Sequence, residues 1–520
     1  MKADGSAQSL SEGLDRQATA LKDVEITWPD REPGKMRGWE IFLLVLITLA
    51  GALLRLYQLD NRSVWYDEAF SIAHAVRPVA ELMEILIGDA FHPPLYHFLL
   101  REWFEVLGFG VVQARLVSVI PGTLSILLIY FLARRFTTVP ISLCAAFLLA
   151  ISQVGIHFSQ EARAYALVQC LSLAAALAFL RFLRQPGLWT TTLFSAISIV
   201  LVYLHYYAAG TLIGLGLYWL VFRREHSKTV FIWLLGSALV ILLAFVPWVI
   251  LLRSGAEHPQ SPLVSIGDDL ARKTLRPRTV YMAINRFNNG NTVSIHDESS
   301  YQQSLPGMIL FTLPAAVALF YTWGRAPQGL WLGLLLVGTP LLMALLAGSY
   351  GVIFNFRHYS FALPGYYLAV AIGWRVCLRN SVARLAWIVA VIGITALSLP
   401  GTYAVTKPDY RTGFLPLAKG QQAGDCVAFR PMIWSGRIHL AYEVYYQAEH
   451  PLKFLSFPNL ASESRGCNRI WLVWDKTKFM NTDPTEVEST RLIVAQVLGH
   501  FRVIEKYEHS AADIQLLERY

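Results

Sequence analysis

Residues 39–58 read WEIFLLVLITLAGALLRLYQ, an apolar run interrupted only near its ends, by Glu40 and Arg55. A helix needs about 20 such residues to cross the ~30 Å hydrocarbon core of a bilayer. Similar runs follow near residues 111–133, 139–157, 164–183, 189–206, 207–222, 229–252, 306–323, 329–349, 359–376 and 384–404. The sequence therefore predicts a polytopic α-helical membrane protein with about eleven transmembrane helices.

The overall composition agrees with this fold class. Of the 520 residues, 55% are hydrophobic and only 15% are charged, whereas soluble proteins carry about 25% charged residues. The net charge of +8 does not indicate nucleic-acid binding, because the sequence shows no basic patch or nucleic-acid-binding motif. The basic residues instead lie mainly in short loops between apolar runs, which is typical of cytoplasmic loops.

The basic loops also predict the orientation of the chain. With the N-terminus in the cytoplasm, every inner loop carries basic residues, namely Arg134 and Arg135, Arg181 and Arg184, Arg223, Arg224 and Lys228, Arg325, and Arg375, Arg379 and Arg384. Residues 1–38 are then a disordered cytoplasmic tail without a cleavable signal peptide. Residues 39–405 form the transmembrane domain, with a first outer loop at 59–110 and a second at 253–305.

The outer segments differ in character. In the first outer loop, Ala80–Ile87 and Leu95–Leu107 have helical periodicity with one apolar face, which predicts short helices in the membrane interface. The second outer loop is rich in Asn, Ser, Arg and Gly and is expected to be a mobile binding loop. Residues 406–520 are predicted to form a small extracytoplasmic α/β domain. Its predicted strands are Asp425–Phe429, Leu452–Ser456, Arg469–Trp474, Arg502–Tyr507 and Ile514–Leu517, and its predicted helices are Ile438–Gln447 and Ser489–His500.

The five cysteines fall into two groups. Cys144, Cys170 and Cys377 lie in or beside apolar runs and are expected to be inert. Cys426 and Cys467 both lie in the outer domain, where an oxidising compartment would make a disulfide plausible, although their spacing alone does not show that they are close. The sequence has no CxxC motif or His/Cys cluster, so no metal site is predicted.

Two adjacent acids follow the first apolar run, in Trp65-Tyr66-Asp67-Glu68. They have a simple structural explanation, since acids favour the N-terminal turn of a helix. They also have a functional one, because a carboxylate near hydrocarbon is costly to ionise and suits a general base. His92-Pro93-Pro94-Leu95-Tyr96 follows as a rigid turn, which either only precedes a helix or directs His92 or Tyr96 at the acids.

Three arginines at the outer ends of apolar runs oppose the positive-inside trend: Arg115, Arg163 and Arg357. Any of them could contact lipid headgroups, an explanation that best suits Arg115. The guanidinium also binds phosphate in a bidentate manner, so three arginines near an acid pair would form a site for a phosphate leaving group. Their neighbours are candidates for substrate contacts, namely Tyr66, Glu161, Tyr165, His358 and Tyr359.

The motifs that carry these residues resemble those of bacterial GT-C membrane glycosyltransferases. The resemblance rests on Arg55-Leu-Tyr-Gln-Leu, Trp65-Tyr-Asp-Glu-Ala69, His92-Pro-Pro-Leu-Tyr96, Ala114-Arg-Leu-Val-Ser118 and Gln160-Glu-Ala-Arg-Ala-Tyr165, which occur in the family's order. It is greatest for the family 39 group that contains protein-mannosyltransferase-like, aminoarabinose-transferase-like and rhizobial galacturonosyltransferase-like proteins. It covers residues 40–405.

The resemblance implies transfer of one sugar from a polyprenyl-phosphate carrier to a lipid or glycan acceptor at the outer face of the bacterial plasma membrane. Asp67 would be the general base and Glu68 would assist it. Arg163, Arg357 and Arg115 would bind the departing phosphate, and His92, Tyr96 and the substrate contacts named above would complete the site. The family inverts the anomeric centre, and this chemistry requires neither a metal nor a cofactor.

Two departures limit what the resemblance implies. The aminoarabinose branch has a lysine beside an acid in its first outer loop, but this sequence has no lysine between Lys35 and Lys228, so arginines would have to replace it. The chain also lacks the outer domain inserted in eukaryotic protein mannosyltransferases, which makes a protein acceptor less favoured. Two alternatives remain: a transporter or flippase of a lipid-linked sugar, and a non-catalytic assembly subunit built around the C-terminal domain.

Overall fold

The computed structural model describes residues 33–255, 277–289, 305–322, 328–349, 356–378, 380–404, 407–430, 438–446, 452–476 and 484–520. Most of the predicted cytoplasmic tail and of the second outer loop lies outside these ranges, as do Arg325 and Arg379.

Helices make up most of the described chain before residue 405. In order they are α1 (Gly38–Leu56), α2 (Tyr66–Ala75), α3 (Val79–Asp89), α4 (Leu95–Leu107), α5 (Val111–Arg134), α6 (Val139–Ile151), α7 (Gln153–Ser159), α8 (Tyr165–Arg184), α9 (Leu188–Leu204), α10 (Ala209–Phe222), α11 (Lys228–Gly255), α12 (Pro277–Asn289), α13 (Leu313–Thr322), α14 (Gln328–Ser349), α15 (Leu363–Cys377) and α16 (Ser381–Tyr403). Each apolar run of the sequence is helical.

Within the described residues, six helices are long and apolar enough to cross a membrane: α1, α5, α8, α11, α14 and α16. The pair α6 and α7 would add a seventh as one span bent by 55°. The other apolar runs form shorter helices; α10, for example, has 14 residues, which reach about 21 Å at ~1.5 Å per residue. The membrane-protein character is thus supported, while the count of eleven spans and their orientation stay predictions.

Small residues allow the short helix α10 to pack closely on α14. A Cβ atom added at Gly210 would lie 2.8 Å from Cα of Pro340, and one at Gly214 would lie 2.7 Å from Oγ1 of Thr339. The Thr339 hydroxyl donates to the carbonyl oxygen of Gly210 at 2.7 Å. Glycines four residues apart commonly let membrane helices approach in this way, so this contact fixes α10 in the bundle.

The bend between α6 and α7 surrounds Arg55, whose side chain is fully buried. Its guanidinium donates to the carbonyl oxygens of Leu149 (3.0 Å) and Ala150 (2.9 Å) and to Oγ of Ser159 (3.2 Å). The last carbonyl groups of a helix lack hydrogen-bond partners within the helix, and at the end of α6 the guanidinium of Arg55 is that partner. These hydrogen bonds fix the geometry of the bend. The bend in turn positions α7 and the segment 160–164 that follows it.

The outer loops are more helical than the sequence suggests. The helices α3 and α4 confirm the two predicted in the first outer loop, and α2 is an additional one. In the second outer loop the structure describes the helix α12, which is docked on α15, while most of the expected mobile loop lies outside the described residues. Phe287 is buried and stacks on Tyr366 at 5.4 Å, and the Tyr366 hydroxyl donates to Oδ1 of Asn288 at 2.6 Å.

The C-terminal region is a mixed α/β domain, as predicted. Its helices are α17 (Tyr410–Gly413), α18 (Leu415–Gly420), α19 (His439–Tyr445), α20 (Leu460–Glu463) and α21 (Pro484–Leu498), and its strands are β1 (Cys426–Arg430), β2 (Lys453–Leu455), β3 (Arg469–Asp475), β4 (Phe501–Glu508) and β5 (Ala512–Arg519). All five predicted strands are present. They form one sheet in the order β2-β1-β3-β5-β4, with β1 parallel to β2 and β3, and β5 antiparallel to β3 and β4.

A disulfide joins Cys426 to Cys467 and confirms the pairing considered from the sequence. The two Cα atoms are 6.1 Å apart, and both residues lie in the buried core on one face of the sheet. The bond closes a long loop between β1 and the start of β3.

Contacts divide the chain into two compact units. The helical unit comprises residues 1–57, 83–96 and 116–405, and the α/β unit comprises residues 58–82, 97–115 and 406–520. The sequence predicted a boundary at residue 406, with the first outer loop outside the C-terminal domain. In the structure, parts of that loop, including α2, belong to the same compact unit as the C-terminal domain.

Candidate active site

The acid pair lies in the first turn of α2, in the α/β unit. Neighbouring residues of a helix point about 100° apart, so only one of two adjacent side chains faces the core directly. Glu68 is fully buried, whereas Asp67 is partly exposed. The helix therefore gives the two acids different surroundings.

Glu68 is bound by two buried cations. Arg115 donates from Nε to Oε1 at 3.0 Å and from Nη2 to Oε2 at 3.2 Å, while Nζ of Lys407 donates to Oε2 at 2.8 Å. The side chain of Lys407 is 8% exposed and that of Arg115 is 0% exposed. Removing one member of such a buried pair is strongly destabilising, so this arrangement fixes Glu68 in place.

Arg115 also orders the turn before α2. Its Nη1 donates to the carbonyl oxygens of Leu59 (2.6 Å) and Arg62 (3.0 Å), and its Nη2 lies 3.5 Å from the carbonyl oxygen of Ser63. A guanidinium has five N–H donors, and these contacts together with Glu68 match that number. Arg115 therefore has several protein partners, and its contact with a phosphate stays a prediction.

Lys407 was not among the residues selected from the sequence. It comes from the segment after α16, and its Nζ lies 5.5 Å from the ring centre of Trp65 in addition to its contact with Glu68. The family's expected lysine beside an acid is absent from the first outer loop, but a lysine reaches Glu68 from a position 339 residues later. A local motif cannot reveal such a contact.

Further C-terminal residues hold the acid-bearing segment within the α/β unit. Arg77 pairs with Glu443 at 2.7 Å, and Arg411 pairs with Asp60 at 2.8 Å. The hydrogen bond from Arg411 lowers the pKa of Asp60. The hydroxyl of Tyr445 accepts from the backbone N–H of Val64. The C-terminal domain thereby positions α2 and the turn before it.

A second cluster lies in the helical unit, around Arg163. Nη2 of Arg163 lies 2.6 Å from Nε2 of His92, and Nδ1 of His92 lies 2.8 Å from Oδ2 of Asp89. Arg163 and Asp89 are buried, and the hydroxyl of Ser118 donates to the carbonyl oxygen of Arg163 at 2.9 Å. His92 thus contacts one of the predicted arginines.

Histidine and tyrosine rings continue the cluster. The guanidinium of Arg163 lies 5.8 Å from the ring centre of Tyr165, which is 5.7 Å from that of His205. The ring of His358 lies 6.1 Å from His205 and stacks on Tyr207 at 4.7 Å. Arg163, Tyr165 and His358 were selected from the sequence. His205 and Tyr207 were not, although the polar break at 203–208 marks their position.

Burial, followed by the positive charge of Arg357, lowers the pKa of His358 well below its ordinary value. A neutral imidazole offers a hydrogen-bond donor and an acceptor but no charge. In this cluster the arginines therefore supply the positive charge, which is the property that an anionic ligand requires.

The remaining predicted site residues lie in both units. In the helical unit, Glu161 is buried and its Oε1 lies 3.2 Å from Nε2 of His157, while Tyr96 and Tyr359 are also buried. In the α/β unit, Tyr66 is partly exposed beside Asp67. Among the described residues there is no group of three or more His, Cys, Asp or Glu side chains that could hold a metal ion.

The chain was compared with protein families, with curated sequences and with solved structures. A model of the family described as dolichyl-phosphate-mannose-protein mannosyltransferase matches residues 91–251. No curated protein sequence matches the chain.

Solved structures match nearly the whole chain. ArnT from Cupriavidus metallidurans in the apo state is 15% identical, with a TM-score of 0.51 and coverage of 92% of this chain and 98% of that one. The same protein bound to undecaprenyl phosphate is 13% identical, with a TM-score of 0.50 and the same coverage, 92% and 98%. The oligosaccharyltransferase AglB from Archaeoglobus fulgidus, in complex with an inhibitory peptide and a dolichol-phosphate, is 12% identical, with a TM-score of 0.54 and coverage of 92% and 74%.

At these identities the structural matches show a shared fold. The family model, which matches residues 91–251, agrees with the resemblance found in the motifs, and the chain is similar in fold to ArnT and AglB.

Proposed function

We propose that this protein transfers a single sugar from a polyprenyl-phosphate donor to a lipid or glycan acceptor at the outer face of the bacterial plasma membrane, with inversion of the anomeric centre. The observation that carries the proposal is that two adjacent acids have different surroundings. Glu68 is buried and bound by Arg115 and Lys407, whereas Asp67 is partly exposed. The lipids bound in the similar structures, undecaprenyl phosphate in ArnT and a dolichol-phosphate in AglB, support the choice of donor.

Asp67 is the general base in this proposal. Its carboxylate takes the proton of the acceptor hydroxyl or amine as the acceptor atom bonds to the anomeric carbon, and the bond from that carbon to the phosphate oxygen breaks. Glu68 is poorly suited to this role, because both of its oxygens already accept N–H groups from cations. Glu68 instead fixes the first turn of α2, and Arg115 acts by fixing Glu68.

Arg163 and Arg357 bind the departing lipid phosphate. Negative charge grows on that phosphate in the transition state, and fixed cations stabilise it there. The planar guanidinium suits a phosphate, and Nη2 of Arg163 lies 2.6 Å from a ring nitrogen of His92. Tyr66, Tyr96, Glu161, Tyr165 and Tyr359 complete the substrate contacts in the proposal. The reaction as proposed needs no metal and no cofactor.

The disulfide supports the proposed orientation. Bonds such as Cys426–Cys467 persist in oxidising compartments and are rare in the cytosol. An extracytoplasmic C-terminal domain agrees with this chemistry and, together with the basic loops, with a cytoplasmic N-terminus.

Complementation of a deletion strain tests the proposal. Strains carrying the wild type, Asp67→Asn or Glu105→Gln are compared by mass spectrometry of envelope lipids and glycans at equal membrane abundance of the protein. Glu105 is an exposed acid of α4 and serves as the matched control. We expect the product in the wild-type and Glu105→Gln strains and its loss with Asp67→Asn. A transporter would tolerate the loss of one outer carboxylate, so unchanged product with Asp67→Asn would contradict the proposal.

A further inference from the structure

The polar break between α9 and α10 contributes two of three ring side chains that all contact one another. The ring centres of His205 and Tyr207 are 5.7 Å apart, and those of His205 and His358 are 6.1 Å apart. The rings of Tyr207 and His358 are nearly parallel, with their centres 4.7 Å apart. His205 and Tyr207 are buried. We call His205, Tyr207 and His358 the ring cluster.

The backbone of this break interrupts two apolar runs. His205 ends α9 in an extended conformation, with φ −163° and ψ 127°, and a three-residue 3-10 helix, Tyr206–Ala208, follows it. Irregular backbone between membrane helices is tolerated where it is buried in protein or lines a polar cavity. Broken helices of membrane proteins commonly bind substrates at such positions. The break is therefore a position where a ligand site is expected on physical grounds.

A backbone contact determines which nitrogen of His205 carries the proton. Nδ1 of His205 accepts from the N–H of Tyr207 at 3.3 Å. A backbone N–H only donates, so Nδ1 carries no proton and the ring proton is on Nε2. Nε2 is therefore a donor, which requires an acceptor such as the oxygen of a hydroxyl group. An ammonium group cannot bind there, because it also only donates.

His358 contributes a polar atom that protein groups leave unpaired. Its Nδ1 is buried and has no hydrogen-bond partner among the residues that the structure describes. Buried polar atoms of side chains are nearly always hydrogen-bonded, so a ring that served only for packing would be expected to have a partner there. A hydroxyl group both donates and accepts, and it therefore suits Nδ1 in either tautomer of the ring. The phenol hydroxyl of Tyr207 is a third hydrogen-bonding group of the ring cluster.

The ring cluster lies one side-chain ring away from Arg163. The guanidinium of Arg163 is 5.8 Å from the ring centre of Tyr165, which is itself 5.7 Å from the ring centre of His205. In a lipid-linked donor the sugar is bonded directly to the phosphate. A sugar whose phosphate binds Arg163 would therefore lie beside that arginine, within reach of the ring cluster.

We propose that His205, Tyr207 and His358 bind the sugar ring of the lipid-linked donor through its hydroxyl groups, with an oxygen of the sugar facing His205. The inference rests on the proposed role of Arg163 and extends it, because it assigns sugar recognition to a part of the site other than the phosphate ligands. Ligand sites of this kind combine aromatic surfaces with a few polar groups that fix orientation. A site built to hydrogen-bond the hydroxyl groups of a substrate also discriminates against substrates that lack them.

Binding of matched lipids to the full-length protein in detergent tests the proposal. Affinities are measured for undecaprenyl phosphate and for the same lipid carrying mannose, galacturonic acid or aminoarabinose, and the sugar-bearing lipid that binds most tightly is used for the variants. His205→Asn keeps a side-chain acceptor for the N–H of Tyr207 but has no atom in the place of Nε2. We expect it to weaken binding of the sugar-bearing lipid about tenfold and binding of undecaprenyl phosphate less than about twofold.

The neighbouring tyrosine provides a matched control. The hydroxyl of Tyr206 accepts from Nε1 of Trp248 at 2.8 Å, so it is engaged by α11. Tyr206→Phe should therefore bind both lipids as the wild type does, whereas Tyr207→Phe and His358→Gln should show the same selective loss as His205→Asn. Should His205→Asn not fold, Tyr207→Phe decides, because it removes only a hydroxyl group.

The outcomes separate this inference from the proposed function. Equal losses for the two lipids, or no loss in any variant of the ring cluster, would show that these rings only pack, and the inference would be wrong. It would also be wrong if the wild type bound none of the sugar-bearing lipids more tightly than undecaprenyl phosphate. If the loss is selective but the Asp67→Asn strain still makes the product, the proposed base fails and the sugar site stands.

Discussion

In the α/β unit, Arg115 contacts the carboxylate of Glu68 directly, whereas in the helical unit Arg163 contacts the ring of His92, whose other nitrogen contacts Asp89. Both arginines are buried. In the first arrangement a carboxylate holds the arginine directly, and in the second a histidine ring contacts both an arginine and an acid. Burial of an arginine is therefore not by itself a sign of ligand binding, and its direct partners have to be considered as well.

The stability of the two clusters should differ most when each arginine is replaced. Arg115→Met leaves Glu68 with one cation and several carbonyl oxygens without their donor, so we expect a loss of about 3–5 kcal/mol in the free energy of unfolding. Arg163→Met removes the hydrogen bond with the ring of His92, and a loss of about 1–3 kcal/mol is expected. Thermal unfolding of the purified variants in detergent measures both. Equal losses would break the distinction drawn between the arginines.

The disulfide offers a second way to separate the two units. Cys426→Ser should lower the stability of the α/β unit by about 2–4 kcal/mol, because the bond closes a loop between residues 41 apart in sequence. The contacts of the C-terminal domain with the α2 segment would loosen, so the transfer rate should fall while undecaprenyl phosphate binding is retained. Cys377→Ser, at an exposed free cysteine, is the control. Loss of undecaprenyl phosphate binding in Cys426→Ser would contradict separate roles for the α/β unit and the helical unit.

A smaller effect concerns the pH dependence of the helical unit. The pKa of His358 is lowered in the folded protein by burial and by Arg357, so the unfolded chain takes up a proton there more readily. Stability should then fall as the pH drops below roughly 6.5, the ordinary pKa of histidine, by about 1 kcal/mol at pH 5.5. His358→Gln should remove this part of the pH dependence, whereas the exposed His500→Gln should retain it. Thermal unfolding between pH 5 and pH 8 measures this dependence. If stability changes with pH as steeply in His358→Gln as in the wild type, the assignment to His358 is wrong.

The fold could be predicted where the signal is local. Apolar runs and alternating strands depend on neighbouring residues, which is why each run is helical and each predicted strand of the sheet is present. Helix α12 was missed because its sequence is polar, and its docking depends on Phe287 and Asn288 meeting the distant Tyr366. The polar break at residues 203–208 separates α9 from α10, as the division between the two apolar runs predicts.

The candidate site could be predicted only in part for the same reason. The motifs identified Asp67, Glu68, His92 and Arg163, but they could not show that Lys407 reaches Glu68 across 339 residues. The contact between Asp89 and His92 was missed because Asp89 resembles an ordinary helix end and is followed by Ala90 in the left-handed conformation. Arg115 was recognised as unusual, but its partners could not be read from the sequence.

The central claim is that the two clusters have separable roles, a partly exposed base at Asp67 and a phosphate ligand at Arg163. The most direct test measures kcat for sugar transfer and the affinity for undecaprenyl phosphate in the same preparations of Asp67→Asn and Arg163→Gln. We predict that Asp67→Asn lowers kcat roughly 10²–10⁴-fold with its affinity within about twofold of the wild type, and that Arg163→Gln weakens the affinity about tenfold. An Asp67→Asn variant that turns over at the wild-type rate would contradict the account.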